Sequence, residues 1–536
     1  MFVDISHNAP QTVLSQVGGK WSKLSRQGET LWSGNIEVSS VISPEGLTFS
    51  LSPGKLAVER IAAYWKCDLK LGAKILGDSW ERVYGEAEWR GIAPDRIMPW
   101  YFFILTDDRT NGYGVKTCPN AMCYWQADTD GITLCMDVRC GTAGLELSYE
   151  ALEIATVVCR QGIEDESSFY SARAFCAMMC DHPVIPSFPV YGGNNWYYAF
   201  GKTDQKQFIN ETKWISEMAE SSENRPFSVI DACWQEVSLH GWTVAGGPCY
   251  RGNRLFPNMD TIAGNVKDSG ARPGLWCRPL LTVENVPQSW LLPENRFHNS
   301  VYEGGVFDPT IPEALEHIGK DIARFSSWGF ELVKHDFTCF DITGKWGYAM
   351  HSQITEGTWS FADKNKTTAQ AIKDLYRTIA ANAGGMLIIG CNTFSHLSAG
   401  IFHMQRIGDD SGCNWDRVRK MGINPLAFRM PQHEAFYAVD ADCVDMNHGI
   451  PWEKSSLWLD LLSKSGTPLF ISAASDTINK TQESAIREAF RRAAKKHDIA
   501  EPLDWHYTTC PISWSINGEI TTYQWNMLKG TPAIAI

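Results

Sequence analysis

The sequence predicts a multidomain protein: an N-terminal antiparallel β-sandwich, then a (β/α)8 TIM barrel, then a short β-rich C-terminal tail. Three observations carry this prediction. Residues 1 to about 180 break into short Val-, Ile-, Leu-, Tyr- and Trp-rich segments separated by Gly, Pro, Asp and Asn turns, as many-stranded antiparallel folds do. After the junction Pro183-Val184-Ile185-Pro186-Ser187-Phe188-Pro189, apolar strands alternate with amphipathic helices, the pattern of a parallel α/β barrel. Near the end, Ile512 to Trp525 reads as a hairpin across Asn517-Gly518. The expected divisions are 1–182, 183–500 and 501–536.

In the first division, Trp32–Val38 and Gly131–Val138 read as strands. The run Asp107-Asp108-Arg109-Thr110-Asn111-Gly112 carries an Asn-Gly hairpin signal. In the second, eight strands are expected. They are Val190-Tyr191, Phe227–Asp231, Pro273–Arg278, Leu332–Asp336, Met386–Cys391, Gln405–Gly408, Ala435–Val439 and Pro468–Ser472. Helices are expected over Thr367–Asn382 and Gln482–Lys496.

The chain has 536 residues, 44% hydrophobic and 20% charged, an ordinary globular composition. A net charge of -13 argues against a nucleic-acid partner, which requires a basic face. No apolar run reaches the roughly 18 residues that span a bilayer. Met1–Asn8 lacks the basic and apolar regions of a secretory signal, which points to a cytoplasmic location. The 16 Cys are scattered and read as reduced thiols. Cys176 and Cys180 have no second Cys/His pair beside them, so no metal site is expected and no cofactor is implied. Most of the 22 Trp are expected in the core, although flat sugar faces also favour Trp-rich surfaces.

The candidate chemistry lies at the C-terminal tips of the barrel strands, where such barrels place their active sites. Strand four ends Lys334-His335-Asp336, and period-two alternation puts Lys334 and Asp336 on one face. A carboxylate beside an ammonium stays ionised at neutral pH and is suited to nucleophilic attack; the alternative is a structural ion pair. The other tips supply Asp231, Cys233 and Trp234 from strand two, Trp276 and Arg278 from strand three, Cys391 and Asn392 from strand five, and Arg406, Asp409 and Asp410 from strand six. Acids, amides and cations with an indole floor suit a sugar. Asp336 and a second acid can form the pair that cleaves a glycosidic bond. Asp410 is preferred over Asp409, and one of the two is expected to cap the following helix.

These residues resemble glycoside hydrolase clan D, families 27 and 36, the retaining α-galactosidases and α-N-acetylgalactosaminidases; the β-rich N-terminal part is more similar to family 36. The resemblance rests on Lys334-x-Asp336, on Arg406 followed by Asp410 and Trp415, on Asn194-Asn195-Trp196-Tyr197, and on Phe256-Pro257-Asn258-Met259 leading to Gly274-Leu275-Trp276. It implies that Asp336 is the nucleophile and Asp410 the acid/base. It further implies that Lys334, Arg406, Cys391 and Asn392 hold sugar hydroxyls, that Asp231 binds hydroxyls far from the anomeric carbon, and that Trp196, Trp234 and Trp276 line the pocket. A glycoside or oligosaccharide substrate and a homo-oligomer are the implied partners.

The chain departs from that pattern at Ala232, where the family carries a second acid, which opens the way to a sugar lacking C6 or modified there. Arg278 stands where an acid is common, which makes that subsite more positive. The leading expectation is a retaining exo-α-glycosidase acting on α-galactosides by double displacement. The alternatives are an α-N-acetylgalactosaminidase, an α-galactosyl transglycosylase, or a catalytically inactive carbohydrate-binding protein on the same scaffold. A barrel enzyme using metal or phosphate is disfavoured by the lack of a Gly-rich phosphate loop or a His cluster.

Overall fold

The computed structural model describes residues 2–70, 72–106, 109–219, 223–236, 246–296, 304–447 and 449–526. Two antiparallel sheets, of six and eight strands, build the N-terminal part. Their rings interlock in one core: Phe49 and Phe102 of the larger sheet meet Trp65 and Trp125 of the smaller one. Alternating large apolar side chains on the inner faces are what allow the two sheets to close on each other.

Two local readings change. Trp32–Val38 is a hairpin rather than one strand, with Trp32 paired to Val38, because Gly34-Asn35 turns the chain. The expected hairpin at Asn111-Gly112 is displaced. Asp107 and Asp108 lie outside the described residues, Thr106 pairs directly with Arg109, and Asn111-Gly112 runs inside the strand Arg109–Val115. Gly112 serves packing instead: a Cβ there would meet the Phe175 ring at 2.3 Å, so its absence lets helix Ser168–Met179 lie close on the sheet.

The parallel sheet follows in the order the sequence predicts. Barrel strands one to six are Tyr191–Asn194, Phe227–Ile230, Arg272–Cys277, Leu332–His335, Leu387–Gly390 and Met404–Arg406, and strand eight is Leu469–Ser472. Strand seven is in two pieces. Ala438–Asp440 pairs with strand six, and Cys443–Asp445 pairs with strand eight. The sheet therefore closes through residues 438–445, with Ala441 and Asp442 at the seam. Strand seven begins three residues later than the apolar run suggests. Val229, Leu332, Ile389, Met404 and Phe470 fill the barrel interior.

The sandwich is stitched to the barrel mouth. Val83 bridges Gly408 in parallel, its N–H donating to Ile407 O at 2.8 Å while Asp409 N–H returns to Val83 O at 3.2 Å. After helix Lys480–Ala493, the tail forms a three-stranded sheet. Ile516 pairs with Glu519 across Asn517 and Gly518, both at positive φ, the geometry an Asn-Gly hairpin turn needs. The Trp415 indole N–H, donating to Trp525 O at 2.6 Å, fastens that tail to the barrel. All sixteen cysteines are free thiols. Among the described residues no helix is long and apolar enough to cross a membrane.

Candidate active site

A cavity of about 780 Å³ opens at the C-terminal end of the barrel. Asp231, Lys334, Asp336, Arg406, Asp410, Trp196 and Trp276 all line it. Strand four delivers Lys334 and Asp336 to the same face, as period-two alternation requires.

Asp336 is held from three sides. The Trp276 indole N–H donates to one carboxylate oxygen at 3.1 Å, and the backbone N–H groups of Phe337 and Asn392 donate to the other at 2.7 and 3.1 Å. The Phe337 contact depends on a turn with φ of 67° directly after the strand, which folds the chain back over the carboxylate. Burial alone would raise the Asp336 carboxyl. The Lys334 and Arg82 cations and these hydrogen bonds outweigh it and hold the group below the usual carboxylate range.

Lys334 pairs directly with Asp231, not with Asp336: its ammonium lies 2.7 Å from Asp231 Oδ2. Asn194 Nδ2 donates to the same oxygen at 2.7 Å, Ala232 N–H donates to Oδ1 at 2.8 Å, and Asp231 N–H donates to Asn195 Oδ1 at 2.7 Å. The two asparagines of strand one thus set the acid of strand two. Burial works against the Lys334 charge, but Asp231 and Asp336 keep it protonated.

Asp410 sits on a loop tied down at several points. Arg406 reaches it at 3.4 Å, and Arg417 Nε donates to its backbone carbonyl at 2.7 Å. Burial of the surrounding wall raises the Asp410 carboxyl, Asp442 and Asp409 add to the rise, and Arg406 and Arg82 oppose it. The side chain is 47% exposed and lines the cavity. Asp409 pairs with Arg82 at 3.2 Å and Arg417 at 3.0 Å. Neither aspartate caps the next helix; Asn414 does, accepting from Arg417 N–H at 2.9 Å.

Three expected ligand contacts lie outside the cavity lining. Trp234 is fully buried behind Trp276, donating to its carbonyl at 2.9 Å and packing on Phe325 and Trp328. Cys391 is buried and accepts from Arg406 at 3.7 Å, so it supports the guanidinium. Asn392 is buried, its backbone on Asp336 and its amide on Glu81. Arg278 does not make the site more positive: it is buried against Asp341, with Nε donating at 2.9 Å, and lies 4.2 Å from the Phe337 ring centre. At Ala232 the wall is apolar. Ala232, Cys233 and Trp276 cluster there with Trp196 and Phe337.

Sequence reasoning missed two contributors. Asp442, at the seam of strand seven, pairs with Arg406 at 3.1 Å, accepts from the Tyr197 hydroxyl at 2.5 Å and from Ser411 N–H at 2.8 Å. With Asp445, which accepts from Cys413 N–H at 2.9 Å, it anchors the loop that carries Asp410. The run Asp440-Ala441-Asp442 after an apolar strand was the available signal. The second contributor is Glu81–Tyr84 from the sandwich. Tyr84 lines the cavity, and the buried Glu81 accepts from Tyr84, from Asn392 and, at 2.9 Å, from Gly347 N–H. Among the described residues no group of His, Cys, Asp and Glu is placed to hold a metal.

No protein-family model matches the sequence. Solved structures share its fold. An α-galactosidase from Thermus thermophilus, in complex with p-nitrophenyl α-D-galactopyranoside, aligns over 96% of this chain and 99% of its own at 13% identity and a TM-score of 0.62. A family 36 α-galactosidase from Geobacillus stearothermophilus aligns over 90% and 74%, at 13% identity and a TM-score of 0.61. The galactosidase domain of an α-galactosidase–sucrose kinase aligns over 94% and 74%, at 12% identity and a TM-score of 0.61. The resemblance read from the strand-tip motifs thus extends to the fold of nearly the whole chain.

Arg278→Leu is expected to cost about 3–5 kcal/mol in denaturant unfolding, because Asp341 is left buried without its cation. Arg278→Leu/Asp341→Leu should recover most of that loss. A change in ligand affinity with unchanged stability would instead put Arg278 in the site.

Proposed function

We propose that the chain is a retaining exo-α-glycosidase of α-galactosidase type, hydrolysing a terminal α-linked sugar by double displacement. One observation carries the reading: two carboxyls line one cup, and their surroundings push them in opposite directions, Asp336 down and Asp410 up. Such divergence divides a nucleophile from an acid. Asp336 Oδ attacks the anomeric carbon as the bond to the leaving oxygen breaks, and Asp410 gives its proton to that oxygen. In the second half, Asp410 takes a proton from water, the water oxygen attacks the same carbon, and Asp336 is released. Lys334 and Asp231 grip hydroxyls, and Trp196 and Trp276 supply the apolar wall. That the similar Thermus and Geobacillus proteins are α-galactosidases supports the reading.

The wall at Ala232 favours a refinement: a sugar that presents a C–H or methyl group there in place of a hydroxymethyl. An acid-to-alanine change removes one hydroxyl partner, an effect of about 1–3 kcal/mol between competing sugars.

Asp336→Asn should lower turnover on the order of 10⁴-fold while the fold persists. Asp410→Ala should lose about 10²–10⁴-fold on alkyl α-galactosides and far less on dinitrophenyl ones, which leave without a proton. Equal losses on both substrates would assign the acid elsewhere. In a panel of aryl glycosides, the 6-deoxy-α-galactoside or the arabinopyranoside of matching stereochemistry should equal or exceed the α-galactoside in kcat/KM.

The pH profile of kcat/KM should be bell-shaped. Asp336 must be ionised and its carboxyl is lowered, so activity is lost only as pH falls through that lowered value. Asp410 must be protonated and its carboxyl is raised, so activity is lost as pH rises through that raised value. Asp409→Asn removes a like charge from Asp410 and releases Arg82 and Arg417, so it should move the alkaline limb to lower pH more than the acid limb.

A further inference from the structure

One oxygen of Asp336 receives two backbone donors, and they come from different segments: Phe337 N–H follows barrel strand four, and Asn392 N–H lies at the tip of strand five. The turn at Phe337 accounts for the first. The second depends on what holds Asn392, and that holder comes from the sandwich.

The sandwich segment 78–84 is fixed to the barrel at both ends. Arg429, the last residue of helix Asn424–Arg429, clamps its start: Nε donates to Asp78 at 2.8 Å, and the guanidinium donates to the backbone carbonyls of Ser79, at 2.9 Å, and Glu81. Near its end Val83 bridges Gly408. Between these fixings the Glu81 side chain is fully buried. Gly347 leaves it room, because a Cβ there would meet the Glu81 side chain at 2.5 Å.

The donors around Glu81 define its state. Phe340 N–H donates to Asn392 Oδ1 at 3.2 Å, which turns the amide nitrogen of Asn392 toward Glu81 Oε2. Gly347 N–H, at 2.9 Å, and the Tyr84 hydroxyl donate to Oε1. Both oxygens accept, as those of a carboxylate do. Burying that charge is costly, and the Arg82 guanidinium stands 4.0 Å away. What the charge gains is position. It binds Asn392 and Gly347, and Asn392 O accepts from Cys339 N–H at 3.0 Å. The strand-five tip and the chain after strand four are thereby joined around one carboxylate, and they are the two segments that hold Asp336.

We propose that Glu81 is a positioning residue of the reaction: it acts through Asn392, whose backbone N–H it keeps on Asp336, so that a sandwich residue sets the geometry of the nucleophile. The proposal rests on the glycosidase reading and adds to it a residue from outside the barrel.

Glu81→Gln keeps the shape of the side chain but offers one acceptor and two N–H groups, which leaves Asn392 Nδ2 or Gly347 N–H facing a donor. On p-nitrophenyl α-galactoside it should lower kcat about 10²-fold with KM changed by less than about threefold. The acid limb of kcat/KM should move to higher pH, because the ionised Asp336 loses a donor. Removing a nearby negative charge would by itself move that limb to lower pH. Glu81→Gln/Asn392→Asp exchanges acid and amide, retains each hydrogen bond, and should recover kcat to within about fivefold when measured above the acid limb. An unchanged kcat in a folded Glu81→Gln, an acid limb moved to lower pH, or no recovery in a folded exchange variant would overturn the proposal. If Glu81→Gln does not fold, Asn392→Ala carries the test, since Glu81 keeps Tyr84 and Gly347 there: kcat should fall and the acid limb should rise in the same way, and an unchanged kcat overturns the proposal. If the parent turned over no aryl α-glycoside, the glycosidase reading would fall. Crystal structures of the parent and Glu81→Gln would then still decide whether Glu81 holds Asn392 in place: the Asn392 N to Asp336 Oδ1 distance should grow from 3.1 Å past hydrogen-bonding reach.

Discussion

Arg406 and Asp442 face each other at 3.1 Å where the barrel closes, 2% and 4% exposed. Taking two such charges out of water is costly, and removing one partner from a buried pair costs about 3–5 kcal/mol. The pair stands at the seam between the two pieces of strand seven. Asp442 also collects the Tyr197 hydroxyl and the Ser411 N–H, and Arg406 reaches Asp410 and Cys391. One interaction therefore ties strand six to the seam of strand seven and anchors the loop that carries Asp410. Weakening it would act on fold and chemistry together.

The cup also stores backbone strain. Phe200, Phe337, Cys413 and Asp442 line it, and all four are non-glycine residues at positive φ. Each such conformation costs on the order of 1–3 kcal/mol and persists only when its surroundings over-determine it. At Phe337 the gain is a backbone donor on Asp336. At Asp442 and Cys413 it is the anchoring of the 410–413 loop. Gly412 completes that loop, since a Cβ there would meet the Tyr197 ring at 2.5 Å. At Phe337, Cys413 and Asp442 the strain falls where it holds a carboxylate or the loop that carries one.

The barrel was legible because its strands are short apolar runs ending in charged tips, and that signal is local. Lys334, Asp336, Asp231, Arg406 and Asp410 were found the same way, each at a tip. The same rule overreached at Trp234, Cys391, Asn392 and Arg278. A strand tip has two faces, and sequence position alone does not say whether a side chain enters the cup or packs behind it. Asn111-Gly112 misled for a related reason: its glycine answers to the Phe175 ring rather than to a turn. Strand seven starts late because Glu434 to Tyr437 is a turn, closed by Glu434 N–H donating to Tyr437 O at 2.8 Å, and an apolar run does not show such a turn. Glu81 and Tyr84 were invisible because they come from the other end of the chain and gain meaning only through the bridge of Val83 to Gly408.

That bridge explains why the sandwich cannot be regarded as an ornament on the barrel. Glu81 is buried without a direct cation as close as a normal salt bridge; its nearest is Arg82 at 4.0 Å. Burial raises its carboxyl, and the Arg82 charge, then hydrogen bonds from Tyr84, Gly347 and Cys339, counter that. A buried carboxylate left without those donors is costly, so Glu81 is tolerated only while sandwich and barrel stay docked. Docking in turn brings Arg82 to Asp409 and places Asn392, the partner of Glu81, where its backbone can hold Asp336. The positive charge of Arg82 acts on both Asp336 and Asp410. Asp336 and Asp410 follow different barrel strands, and the sandwich supplies a cation, Arg82, that acts on both.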